Sequence, residues 1–119
     1  MRRKKILVAD DDTDILEVMT LILNEKGYDV KTEKNGEKVL QMKEDLPDLL
    51  LLDIRMSGMD GRDICRQLKS QDQTRNLPII MLSANIDIQK MSAECGANAY
   101  LPKPFDINEL VKMINRLIS

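Results

Sequence analysis

The segment PDLLLLDIRMSGMDG (residues 47–61) decides how the rest of the chain is read. Leu49, Leu50, Leu51 and Leu52 follow one another with no polar alternation. A strand of that kind is buried on both faces, as in a parallel sheet covered by helices on each side. The run ends on a bare carboxylate, Asp53, and a loop containing Gly58 and Gly61 follows. An apolar strand driven through a core to deliver an acid at its far end acts as a stiff post, and it holds Asp53 at a rim.

Outward from that post, apolar runs and helical patterns alternate. KKILVA (4–9) predicts a buried strand, and Ile15, Met19, Ile22 and Leu23 mark an amphipathic helix that stops at Gly27. YDVKTE (28–33) predicts an edge strand; a short helix over 36–44, with Val39 and Leu40 inward, ends before Pro47. After DLLLLD (48–53), Asp60 to Leu68 form a helix with Ile64 and Leu68 on one side. PIIMLS (78–83) is a fourth strand, 86–95 a helix closed by Gly96, and NAYLP (98–102) a fifth strand. A terminal helix over 106–118 places Leu110, Met113, Ile114, Leu117 and Ile118 at helical spacing. Gly27, Gly36 and Gly96 are expected as helix stops or turns. This order predicts an α/β doubly wound parallel sheet in one domain, residues 1–119, with no linker or repeat.

Composition narrows the function classes. A net charge of −2 gives no reason to expect nucleic acid or an anionic membrane as a direct partner. No apolar run approaches the roughly 20 residues that span a bilayer. The basic start MRRKK is expected as a solvated end with the first strand starting inside it; the apolar stretch behind it ends at Ala9, too short for a secretory signal, so a cytoplasmic location is expected. The chain has 0 histidines, which excludes histidine acid–base chemistry, histidine metal ligation and phosphate transfer from its own histidine. Cys65 and Cys95 lie far apart in sequence and fit neither a zinc site nor a disulfide framework; two reduced, half-buried thiols on helices are expected.

The polar groups gather at the carboxyl ends of the strands. Strand one ends in Asp10-Asp11-Asp12, strand three in Asp53, strand four in Ser83 and strand five in Lys103. Sites in open α/β sheets form outside those ends, at the switch point between the first and third strands. Clustered carboxylates repel by several kcal/mol at 4 Å and an effective dielectric of ~20, so a hard divalent cation such as magnesium is expected to offset them. Asp12 is expected to cap the first helix and Asp14 to sit in its first turn, leaving Asp10 and Asp11 as the functional pair. An EF-hand over 10–21 fails, because Ile15 and Leu21 occupy the positions that need glycine and glutamate. A cation, a lysine, a hydroxyl and a carboxylate form a receptor for a phosphoryl group, with the carboxylate as acceptor.

The motifs ILVADDD (6–12), LLLLDIRMSGMDG (49–61), PIIMLSA (78–84) and AYLPKPF (99–105), in this order, give a chain that resembles the receiver domain of a two-component response regulator. The resemblance implies a flavodoxin-like five-stranded sheet in the order 2-1-3-4-5 with five helices. It implies that Asp53 accepts phosphate from a histidine kinase, a histidine phosphotransfer protein or a small phosphodonor, with no separate substrate. It implies Mg2+, with Mn2+ as a substitute, held by Asp10, Asp11, Asp53 and the backbone carbonyl of Arg55. Lys103, before a cis bond to Pro104, and Ser83 and Ala84 would bind the phosphoryl group; Ser83 and Tyr100 would be the switch pair. A downstream protein, or a second copy paired through the fourth helix, fifth strand and fifth helix, would then read the altered surface. The family usually has proline where Ser57 stands, and Arg55 and Asn85 occupy positions that face the phosphoryl site, so Arg55 is expected to tune phosphoryl lifetime. Two other readings compete: a small phosphatase with Asp10 as nucleophile and Asp12 as general acid, and a receiver-like module that binds partners without phosphorylation.

Overall fold

The computed structural model describes residues 3–85 and 87–118. Five strands, β1 (Lys5–Ala9), β2 (Asp29–Glu33), β3 (Leu49–Asp53), β4 (Ile79–Ser83) and β5 (Ala99–Pro102), form one parallel sheet in the order β2-β1-β3-β4-β5. The helices are α1 (Thr13–Glu25), α2 (Gly36–Leu40), α3 (Gly61–Ser70), α4 (Ile88–Cys95) and α5 (Ile107–Ile118). This is the doubly wound order expected from the sequence.

The leucine run explains why both faces are covered. Successive side chains on a strand point to opposite faces. Leu50 and Leu52 therefore pack with Val39, Ile64, Cys65, Leu68 and Ile88 of α2, α3 and α4, while Leu49 and Leu51 pack with Leu16, Met19 and Leu23 of α1 and with Leu110 and Ile114 of α5. All of Leu49–Leu52 are fully buried. Burial of each is worth roughly 1.5–3 kcal/mol, so β3 ties the two halves of the core together.

Several local expectations change. The helix expected over 36–44 is only Gly36–Leu40. Gln41 closes it with its N–H on the Glu37 and Val39 carbonyls, and just past the expected end Asp45 adopts φ 51° and pairs with Lys5 Nζ at 2.5 Å and Lys31 Nζ at 3.4 Å. Gly36 is no helix stop. It opens α2, where an added Cβ would stand 2.8 Å from Ile64 Cδ1, whereas Gly27 (φ 98°) and Gly96 (φ 86°) do close α1 and α4. The loop after Asp53 contains a small hairpin, Arg55–Met56 against Met59–Asp60, that the sequence did not announce; Gly58 at φ 78° makes its turn. Met1 and Arg2 of the basic start lie outside the described residues, as does Ile86 of the expected fourth helix. Arg3 is more than a solvated end, because its guanidinium donates to the Asn24 and Gly27 carbonyls at the close of α1. Cys65 and Cys95 are fully buried, not half-buried, and they are neighbours across the α3–α4 contact. Among the described residues no helix is long and apolar enough to cross a membrane.

Candidate functional site

The ends of β1 and β3 bring the acids together. Asp10 follows β1 directly, its N–H donating to the Glu33 carbonyl at 3.2 Å, and it is 1% exposed. Asp53 closes β3 opposite Leu82 of β4 and is 6% exposed. Asp11 stands on the exposed loop between β1 and α1. One carboxylate oxygen from each of Asp10, Asp11 and Asp53 lies within 4.8 Å of the others. From the far side, Lys103 Nζ reaches Asp10 Oδ2 at 3.1 Å and Asp53 Oδ2 at 3.3 Å. The Lys103 N–H donates to the Ser83 carbonyl at 2.8 Å, which continues the β4–β5 ladder and aims the side chain inward.

Ser83, at the end of β4, is buried, and its Oγ accepts the Asn85 N–H at 2.9 Å. That bond uses a lone pair and leaves the hydroxyl hydrogen available. Ala84 is exposed beside Lys103, at the mouth of a groove walled by Ile15, Val18, Pro104 and Phe105. Arg55 is exposed on the small hairpin and pairs with no described acid; its register partner Asp60 is taken by Arg62 at 2.5 Å. Tyr100 is not part of the acidic cluster. It lies further back on β5, opposite Met81, and is half-buried near Met113 and Arg116. Asp12 is the helix cap expected, accepting from the Asp14 N–H at 2.9 Å. Its Oδ1 is thereby committed to the N-terminus of α1.

Burial, and then the negative charge of Asp10, push the Asp53 carboxyl up from 3.8 to about 6, against the pull of Lys103. The folded chain thus holds the Asp53 proton more tightly than the unfolded chain does. This relative stabilisation is complete below pH 4 and is lost as pH rises through about 6. In metal-free buffer Asp53→Asn is therefore expected to match the parent near pH 4 and to exceed its stability above neutrality by up to about 3 kcal/mol. Urea unfolding of both proteins across that range checks it, and a pH-independent gap would contradict the assignment.

Sequence reasoning missed Gly61. A Cβ there would stand 2.3 Å from the Asp53 carbonyl oxygen and 2.8 Å from Ile54 Cα, and the Gly61 N–H donates to the Ile54 carbonyl at 2.7 Å. The start of α3 thus rests directly on the backbone that carries the acid. Its place beside Asp60, in the stretch that follows Asp53, was the available signal.

Residues 6–115 match the family of response regulator receiver domains. This chain belongs to that family. Among curated relatives, the DNA-binding response regulator MtrA of Mycolicibacterium paratuberculosis is 38% identical over 115 residues, covering 94% of this chain and 50% of MtrA. The receiver domain thus spans about half the length of that relative. A crystal structure of a response regulator from Chloroflexus aurantiacus superposes with a TM-score of 0.92 at 35% identity, covering 98% of each chain. The receiver domain of sensor histidine kinase PA1611 from Pseudomonas aeruginosa, crystallised with a magnesium ion coordinated in its active site cleft, gives a TM-score of 0.89 at 30% identity over 98% of each chain. Receiver domains have no separate substrate, which accords with a site whose central group is one of the chain's own side chains.

Proposed function

We propose that this receiver domain is a phosphorylation switch in which Asp53 takes a phosphoryl group from a phosphohistidine on a histidine kinase or histidine phosphotransfer protein. The observation that carries the reading is a buried carboxylate, Asp53, set between Asp10 and Lys103 at the carboxyl rim of a parallel sheet. An Asp53 oxygen attacks phosphorus, the bond to the donor nitrogen breaks, and an acyl phosphate forms on the chain itself. Lys103 meets the new charge with its ammonium. Ser83 offers the hydroxyl hydrogen that its bond with Asn85 leaves unused, and the Ala84 N–H completes the receptor.

The donor set of Asp10, Asp11 and Asp53 consists of hard oxygens, with the Arg55 carbonyl as a further candidate, and it suits Mg2+ or Mn2+. When bound, the cation neutralises charge on the carboxylates and on the transferred group. A small phosphodonor serves the same chemistry. Intact mass after incubation with acetyl phosphate, with and without Mg2+, tests the reading. A gain of one phosphoryl group that needs Mg2+ and disappears in Asp53→Asn is expected; no gain on folded protein would favour the phosphorylation-independent module.

Arg55 carries a guanidinium on the loop beside the acceptor and is held by no described acid. Arg55→Ala is expected to change the phosphoryl half-life by about 3- to 10-fold, the span of roughly one kcal/mol in the barrier. Loss of the mass adduct with time measures it, and equal half-lives would end the idea. Output leaves through the face formed by α4, β5 and α5, where Tyr100, Met113 and Arg116 meet. The occupant is a downstream protein or a phosphorylation-dependent second copy in the cytoplasm, and no direct contact with nucleic acid is required of this domain.

A further inference from the structure

We propose that Cys65 and Cys95 form a reversible intramolecular disulfide that fastens α3 to α4, a redox site separate from the acidic pocket. The two residues are 30 positions apart in sequence, yet the Cys65 thiol donates to the Cys95 carbonyl at 3.5 Å. The Cys95 thiol in turn donates to the Ser92 carbonyl at 3.5 Å, one turn earlier in α4. Both are free thiols, and both are buried.

The pair is chemically unequal. The neighbouring Cys65 thiol, with help from the Ala97 N–H, draws the Cys95 thiol below its ordinary range, while Cys65 is pushed up by the neighbouring Cys95 and by burial. Cys95 is therefore the attacking sulfur and Cys65 the resolving one. Access comes through α4, a short helix whose first turn has no side-chain cap. Only Ile88–Cys95 is helical, Asp87 makes no side-chain cap bond, and no basic residue sits in the last turn. Cys95 is its final residue, before the left-handed Gly96, so access to both sulfurs comes with local opening of α4 from its uncapped Asp87 end.

With hydrogen peroxide as oxidant, the Cys95 thiolate attacks one peroxide oxygen. The O–O bond breaks, Cys95 becomes a sulfenic acid, and hydroxide leaves to become water. The Cys65 sulfur then attacks the Cys95 sulfur. The S–O bond breaks, and the departing hydroxide takes the Cys65 proton as a second water. Two thiols and one peroxide give one disulfide and two waters. Because α3 begins at Gly61 against the Asp53 backbone and α4 follows the Ser83–Asn85 turn, the bond would hold the acceptor side and the hydroxyl side of the rim at a fixed separation.

The full chain treated with hydrogen peroxide, quenched and alkylated under denaturing conditions is the test, and it does not depend on phosphorylation. Expected results are a mass loss of two hydrogens, alkylatable thiols falling from two to none, and a peptide linking Cys65 to Cys95. A dithiol reductant should reverse all three. Closing this loop should raise the midpoint of thermal unfolding by about 5–10 °C. Cys65→Ala should instead leave Cys95 as a sulfenic acid that a dimedone probe traps. Thiols that stay alkylable, oxidation that adds oxygen without a cross-link, or cross-links only between chains would each overturn the proposal.

Discussion

Gly61→Ala is expected to destabilise the protein by about 2–4 kcal/mol, although alanine normally gains about 1 kcal/mol over glycine inside a helix. The sign reverses because the added Cβ would lie 2.3 Å from the Asp53 carbonyl oxygen and 2.8 Å from Ile54 Cα, both backbone atoms. Neither can rotate aside. Relief requires α3 to lift from β3, which breaks the 2.7 Å bond from the Gly61 N–H to the Ile54 carbonyl, or requires Asp53 to shift. A displacement near 1 Å at a reacting group costs about 100-fold in rate, so phosphorylation by acetyl phosphate should fall by one to two orders of magnitude even where the variant is folded. Urea unfolding and the initial phosphorylation rate check the two halves separately. A variant as stable as the parent would show that the contact yields.

Lys103→Met is expected to lower the phosphorylation rate by about 100- to 1,000-fold, the usual consequence of losing one charged donor aimed at developing negative charge. Methionine keeps much of the stem and removes the ammonium that bridges Asp10 and Asp53 at 3.1 and 3.3 Å. The same change leaves two buried carboxylates facing each other, and Asp53 then sits still higher than about 6. Stability in metal-free buffer at neutral pH should fall by about 2 kcal/mol, less than for a fully buried pair because Lys103 keeps 20% exposure. Near pH 4, with Asp53 protonated in both proteins, most of that loss should vanish. A parental phosphorylation rate would remove Lys103 from phosphoryl binding.

What the sequence made legible is what period and position encode. A two-sided apolar run gave β3, and the residue after each run gave Asp10, Asp53, Ser83 and Lys103 without any knowledge of contacts. The misses have a shared physical origin in tertiary approach. Asp45, just past the expected helix, turns back to pair with Lys5 of β1 and Lys31 of β2, and the spacing of residues 36–44 does not show it. Gly61 sits at an ordinary backbone angle, so nothing local reveals that its missing side chain is space for Asp53. Cys65 and Cys95 meet only because α3 and α4 pack side by side, a distance that 30 intervening residues conceal. Tyr100 is marked as a switch residue by the resemblance alone; it stands half-buried on β5 opposite Met81.

The two walls of the acidic cleft are unequally anchored, and this gives the domain a direction. On the β3 side the backbone around Asp53 is clamped by Ile54 to Leu82 at 3.2 Å, by Gly61 to Ile54 at 2.7 Å and by leucines locked into both layers. On the β4 side, the Ser83–Asn85 turn holds its hydroxyl through one 2.9 Å bond, and exposed Ala84 follows. The acid is an anvil and the hydroxyl turn is the hammer. Under the proposed function, charge arriving at Asp53 is expected to move the β4 wall before the β3 wall, and so to send the message toward α4 and β5 rather than toward α2.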